Sequence, residues 1–165
     1  MRYRVVQPQW ISRHCFVCGV DNPLGLKARF FDLENGDTAG IYTPAEVHQG
    51  YPGRQHGGIT AAILDEVMGR AISLKQPEVW GVTVELSLRY LKPAPVATRL
   101  IAVGRVTRDS RRLFETVGEL YLPGGILAAT ATGRYIKMRF DQVAQDVPED
   151  ELVPPPSDSP EVVEY

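Results

Sequence analysis

Between Gly57 and Leu74 apolar residues crowd the chain: Ile59, Ala61, Ala62, Ile63, Leu64, Val67, Met68, Ala71, Ile72 and Leu74. They lie nearly all round a helical axis, which predicts a buried helix, and Pro77 follows its end. On either side the period drops to two. Residues 26–33 and 38–43 read as strands flanking Glu34-Asn35-Gly36-Asp37, and Asn-Gly is the strongest short hairpin signal. From Val82, one face carries Val82, Val84, Leu86, Leu88 and Tyr90, and the other Thr83, Glu85, Ser87 and Arg89. Pro93 and Pro95 end that strand. Residues 98–108, 112–122 and 126–138 supply three more strands, with turns at Asp109-Ser110 and Pro123-Gly124-Gly125. Short turns imply an antiparallel sheet. Two strands, one buried helix and four strands predict an α+β fold: a curved antiparallel sheet wrapping one long helix, its other face half polar.

The chain has 165 residues, the usual size of one domain, and 44% hydrophobic content supports a real core. No run of 18 apolar residues predicts a membrane span. The first residues carry no apolar signal core, and two cysteines spaced Cys15-Phe16-Val17-Cys18 do not make a secreted disulfide framework. The expected compartment is the cytoplasm. The net charge of −2 hides an asymmetry: eight acids and no Lys or Arg follow Phe140, leaving 18 basic and 12 acidic residues before them. A mildly basic body suits an anionic small molecule, and no motif for nucleic acid accompanies it. The expected organisation is a folded body over 1–140 and an acidic, proline-rich, disordered tail over 141–165.

Two acids interrupt the apolar helix. Glu66 precedes Arg70 by four residues, the favourable order for an ion pair on one face. Asp65 has only small residues beside it, Ala61, Ala62 and Gly69. It either reaches solvent or, with space for an approaching group, serves as a general base or nucleophile. His56-Gly57-Gly58 opens the helix, where free backbone N–H groups and the macrodipole would stabilise a developing oxyanion; equally, a glycine-rich loop is a common helix start. Seven residues separate Gly58 from Asp65, roughly 10 Å along a helix. Base and oxyanion donors must both lie about 3 Å from the reacting centre. If both act on one substrate atom, two helices must run antiparallel across a two-fold axis, each lending Asp65 to the other's His-Gly-Gly. A homodimer with two shared sites is therefore expected.

The segments CFVCGVDNPLGLKARF, YPGRQHGGITAAILDEVMGRA and VTVELSLRYLKPAP resemble the hotdog-fold acyl-CoA thioesterases of the PaaI/THEM type, in the 4HBT superfamily. The resemblance runs from about Cys15 to Met138. It implies a long helix wrapped by an antiparallel sheet and dimers, or dimers of dimers, that share sites. It implies that Asp65 is the catalytic carboxylate, that Gly57, with Gly58 beside it, polarises the thioester carbonyl, that His56 lies beside that carbonyl, and that Thr83 positions the water or the carboxylate. Some relatives carry an Asn six residues before the histidine; here that position is Gly50, with Gln49 and His48 as neighbouring substitutes. CoA phosphates would meet basic side chains such as Arg89, Lys92, Arg108, Arg111 and Arg112. No cofactor and no metal are implied. His14, Cys15, Cys18 and His48 make a conceivable zinc set, but two buried thiols packing the N-terminal segment is the simpler expectation. Two further functions compete with hydrolysis: a non-catalytic acyl-CoA binding protein on the same scaffold, and a hydratase or dehydratase, which the Asp-and-Thr pattern fits less well.

Overall fold

The computed structural model describes residues 1–144, 146–148 and 150–165. Its elements in chain order are β1 (Arg2–Pro8), β2 (Ile11–Ser12), β3 (Arg29–Leu33), β4 (Thr38–Tyr42), α1 (Gly57–Arg70), β5 (Val79–Tyr90), β6 (Leu100–Asp109), β7 (Leu113–Leu122), β8 (Ile126–Arg139), α2 (Phe140–Val143), β9 (Leu152–Val153) and β10 (Val162–Glu164). Eight strands form one antiparallel sheet in the order β10-β1-β3-β4-β6-β7-β8-β5, and β2 pairs with β9. One long central helix packed on an antiparallel sheet agrees with the topology that the resemblance implies. The expected hairpin forms between β3 and β4, with Gly36 at φ 86°, a backbone region that glycine enters without steric cost. The helix ends at Arg70 and continues only as turns through residue 75, short of Leu74 as an helical end.

Ile63, Leu64, Val67 and Met68 are fully buried, each burial contributing about 1.5–3 kcal/mol. They pack with Ala102, Phe114, Leu120, Ala131 and Tyr135 of the sheet. Glycines let the helix come this close. A Cβ on Gly104 would stand 2.6 Å from the Val67 carbonyl oxygen, and one on Gly118 would stand 2.8 Å from the Met68 sulfur. The helix is not buried all round, as its composition suggested: Ile59, Ala62, Asp65, Glu66 and Gly69 stay half exposed on one side. It runs antiparallel to β5, with Asp65 opposite Thr83 and Gly57 opposite Tyr90.

The sheet's second face is more apolar than expected. Phe31, Leu33, Ala39, Val103 and Tyr121 alternate with the helix-facing residues and form a separate cluster, covered by Val163 and Tyr165. This is why the described part of the tail does not match the expected disorder. β10 pairs with β1 along Arg2–Arg4 and supplies the cover, while Asp150 and Glu151 meet Arg13 and His14, and Asp158 meets Arg29. The charge asymmetry noted in the sequence thus closes on itself. Residues 145 and 149 of the tail lie outside the described residues.

Gly104→Ala tests the helix seat directly. The added methyl group meets backbone rather than a movable side chain, so we expect a loss of about 1–3 kcal/mol in urea unfolding. Wild-type stability in this variant would mean that the helix does not rest on β6 there.

Candidate active site

Asp65, Thr83 and Tyr135 converge on one point. The Thr83 hydroxyl donates to Asp65 Oδ1 at 2.9 Å and lies 3.2 Å from Oδ2. The Tyr135 hydroxyl lies 3.0 Å from Oδ1 and 3.1 Å from the Asp65 carbonyl oxygen. Thr83 and Tyr135 are direct cross-strand partners of β5 and β8.

A strict period of two would put Thr83 on the polar face with Glu85, Ser87 and Arg89. A β-bulge between Thr83 and Glu85 corrects that expectation. Val84 is the extra residue, and it stands exposed. Before the bulge, Gly81 and Thr83 face the helix; after it, Leu86 and Leu88 do, packing against the core. One inserted residue therefore turns a threonine toward the acid without giving up the apolar face, a common use of bulges.

Burial is the main influence on Asp65 and raises its carboxyl pKa above the ordinary range. The Thr83 and Tyr135 hydrogen bonds work against that rise, and the neighbouring Glu66 charge adds to it. Tyr135 is 1% exposed, and burial together with the Asp65 carboxylate pushes its phenol upward, so it stays a donor. The group opens onto a cavity of about 1010 Å³ whose walls include Trp10, Trp80, Phe140, Gln9, Arg70 and Arg139. Trp80 and Phe140 pack with ring centroids 4.9 Å apart. Glu66 is accounted for as expected, bonded to Arg70 Nε at 2.7 Å.

The other half of the predicted site lies at the far end of α1. His56 is the N-cap, and its Nδ1 accepts the Gly58 N–H at 2.9 Å. Gly58 is therefore not a free donor. The same bond means that a neutral His56 ring carries its proton on Nε2. The N–H groups of Ile59 and Thr60 turn back to the His56 carbonyl oxygen, whereas the Gly57 N–H has no acceptor among the described residues. The Tyr90 hydroxyl fixes the Gly57 carbonyl at 2.8 Å. Gly50 lies against the His56 ring, where a Cβ would come within 3.1 Å of Cδ2. Gln49 Oε1 takes the Gly53 N–H of its own loop at 3.2 Å. His48 is also engaged, buried between the Ala45 N–H and the Leu24 carbonyl oxygen. Arg89 and Lys92 are exposed where β5 ends, near Gly57. Arg111 is exposed in the turn between β6 and β7, at the opposite end of the sheet.

Sequence reasoning missed Tyr135. Its signal is a run of small residues on its own face, Ala129, Ala131 and Gly133, leading to one large hydroxyl-bearing side chain.

A family model described as the thioesterase superfamily matches residues 53–129. An uncharacterised protein of Schizosaccharomyces pombe is 29% identical over 121 residues, covering 70% of this chain and 69% of its own length. Human acyl-coenzyme A thioesterase 13 is 27% identical over 75 residues, 46% of this chain and 54% of that protein, so the match spans about half of that relative. Among solved structures, a thioesterase superfamily protein is 31% identical with a TM-score of 0.69, covering 75% of this chain and 60% of that one. A Bacillus halodurans protein solved with CoA is 27% identical with a TM-score of 0.62, covering 69% and 76%.

A raised carboxyl pKa has a definite consequence for stability. The folded state holds the Asp65 proton more tightly than the unfolded chain does. Its contribution is therefore fully present below the unfolded value of about 3.9 and is lost as pH rises through the higher folded value. Asp65→Asn should therefore raise stability at pH 7.5, with the gain disappearing below about pH 4. Urea titrations at both pH values measure this; a lower stability at pH 7.5 would show that the charge is stabilised where it sits.

Proposed function

We propose, from the premise that the chain belongs to the thioesterase superfamily, that it hydrolyses an acyl-CoA to the free acid and CoA through a site shared between two copies of the chain. The observation that carries this reading is the half-buried Asp65 carboxylate, held by Thr83 and Tyr135 and open to a large cavity. The relatives that bear the name acyl-coenzyme A thioesterase and the structure solved with CoA support the same substrate class.

Asp65 acts as general base. Its Oδ1 is occupied by two hydroxyl groups, and Oδ2, with the single longer contact, takes the proton from water. The water attacks the thioester carbonyl, whose oxygen gains negative charge against the Gly57 N–H and the His56 Nε2–H at the helix N-terminus. Collapse of the tetrahedral intermediate expels the CoA thiolate, which the Asp65 proton neutralises. Losing one oxyanion donor typically costs roughly 100- to 1000-fold in rate.

Within one chain these halves are too far apart, because Asp65 lies opposite Thr83 and Gly57 opposite Tyr90. β5 is an edge strand of 12 residues with one side unpaired among the described residues. Antiparallel pairing of β5 with a second copy, centred on Ser87, sets Leu86 of one copy opposite Leu88 of the other and, with Val84 as the extra residue, Thr83 opposite Tyr90. Asp65 then meets the other copy's His56 and Gly57, and the two sheets continue around the paired helices in the hotdog arrangement. The same pairing draws Arg111 of one copy toward Arg89 and Lys92 of the other, a basic rim for CoA phosphates. The cavity beside Asp65 then receives the acyl group.

Free-thiol release from short, medium, long and aromatic acyl-CoAs tests the reaction. Turnover of one class should fall at least about 100-fold in Asp65→Ala while acyl-CoA binding persists. Binding without turnover in the wild type would replace this reading with that of an acyl-CoA binding protein, and hydration of an enoyl-CoA would replace it with a hydratase. Tyr135→Phe should lower kcat by about 10- to 100-fold and move the acid limb of the pH profile upward, because one hydrogen bond that favours the charged Asp65 is gone. Sharing has its own test. Asp65→Ala and His56→Ala chains, each inactive alone, should recover about a quarter of wild-type activity when co-expressed in equal amounts, through mixed dimers with one intact site. No recovery would place both halves of the site in one chain.

A further inference from the structure

The hydrolytic machinery leaves one chemically distinctive cluster unused. Cys15 and Cys18 lie in a loop whose polar groups are nearly all committed. Gly19 N–H bonds the Cys15 carbonyl oxygen, Asn22 bridges the His14 carbonyl oxygen and the Leu24 N–H, and Lys27 Nζ bonds the carbonyl oxygens of Gly19, Val20 and Asn22. A Cβ on Gly19 would run into the backbone of Arg13 and Cys15, so the loop admits only glycine there. The result is a rigid turn that fixes two sulfurs side by side.

Their surroundings differ. Cys15 is half exposed, and its Sγ accepts the backbone N–H groups of Val17 at 3.2 Å and Cys18 at 3.4 Å, an arrangement that favours the thiolate. Cys18 is buried, its Sγ directed at the Ser12 carbonyl oxygen and 3.3 Å from Arg70 Nη2. Two charged groups face the pair. Glu66, whose carboxylate lies within 4.8 Å of both sulfurs, opposes a thiolate. Arg70 favours one, and it is fixed by Glu66, Gln9, the Trp10 carbonyl oxygen and the face of Phe30. The Cys18 thiol hydrogen bond and the two N–H groups hold the Cys15 thiol below the ordinary range, while Cys18 is pushed up. A metal is the alternative occupant, since Cys15, Cys18 and Glu66 could offer it three ligand atoms. The Arg70 guanidinium already fills that role: it bonds both Glu66 and Cys18, and a second cation between them would be repelled. His14, the ligand the sequence suggested, is turned away to Glu151.

We propose that Cys15 and Cys18 form a redox-active dithiol that reacts with a hydroperoxide. The Cys15 thiolate attacks the terminal peroxide oxygen, the O–O bond breaks, and the alcohol leaves with a proton from solvent. Cys15 is then a sulfenic acid. The Cys18 sulfur displaces its hydroxyl group, forming the Cys15–Cys18 disulfide and releasing water that carries away the Cys18 proton. Two thiols are oxidised by two electrons and one peroxide is reduced. A separate thiol reductant restores the pair. Cys15, partly exposed and stabilised as the thiolate, is the attacking group, and buried Cys18 resolves it.

The test uses the reduced full-length chain, treated with hydrogen peroxide and read by thiol alkylation and intact mass. Both thiols should disappear together with loss of two hydrogens, and dithiothreitol should restore them. Cys18→Ser should stop at a Cys15 sulfenic acid, trapped with dimedone as a one-to-one adduct. In Cys15→Ser the remaining thiol should react at least about tenfold more slowly. Two thiols that remain freely alkylated after peroxide overturn the proposal without recourse to any variant, as does Cys15→Ser oxidising at the wild-type rate. Stoichiometric zinc uptake that blocks both thiols, with no peroxide-dependent thiol loss, overturns it in favour of a metal site.

Discussion

A carboxylate inside an apolar helix is the constraint around which the central part of this structure is arranged. Desolvation works against the charged form of Asp65, and hydroxyl donors on two adjacent strands are its compensation. Supplying both donors requires the helix to lie close to the sheet. Glycines at 104 and 118 make that approach under Val67 and Met68, and Gly69 and Gly81 continue it toward β5. A side chain at Gly104, which would meet the backbone of Val67 and Met68, would lift the helix, lengthen the bonds to Thr83 and Tyr135, and leave the acid neither solvated nor paired. Close packing and the chemistry of the site are thus one requirement met by the same residues.

Much of this was legible in the sequence, for identifiable reasons. The apolar run, the Asn-Gly hairpin and the alternating strands are local signals, and the elements they predict form within a few residues of the expected limits. Glu66 and Asp65 were separable because an ion pair at four residues' spacing is also local. What escaped depends on partners distant in the chain. The phase of Thr83 turns on the bulge at Val84, which only the register with β8 creates. Tyr135 joins Asp65 across 70 positions. The tail looked too polar to fold because its composition was weighed alone. Its two apolar anchors, Val163 and Tyr165, gain their worth from a cluster built by β3, β4, β6 and β7, and its acids from Arg13, His14 and Arg29.

The departure at Gly50 also has a physical context. The His56 ring lies against this glycine while capping the helix through Gly58. A larger residue at position 50 would contact that ring closely. The histidine is therefore committed at Nδ1 and directed by its packing, so that Nε2 is the group left to face a ligand. In the proposed reaction the oxyanion is met by one backbone and one imidazole N–H.

Helix length then decides the architecture of the proposed site. An oxyanion cradle needs unsatisfied N–H groups, which a helix offers only in its first turn. A buried acid needs hydroxyl donors on the sheet beneath it, and Thr83 and Tyr135 stand two turns further along, at Asp65. Moving Asp65 toward the N-terminus would place it over Tyr90 rather than Thr83 and Tyr135, and moving the cradle inward would end the helix before its apolar core. The two requirements cannot be met on one atom by one copy. An antiparallel neighbour resolves the conflict without any change in either element, and β5, unpaired on one side and spanning both Thr83 and Tyr90, is the strand long enough to set that alignment. The half-exposed face of α1, carrying Ile59, Ala62, Asp65 and Gly69, is the surface such a neighbour would cover.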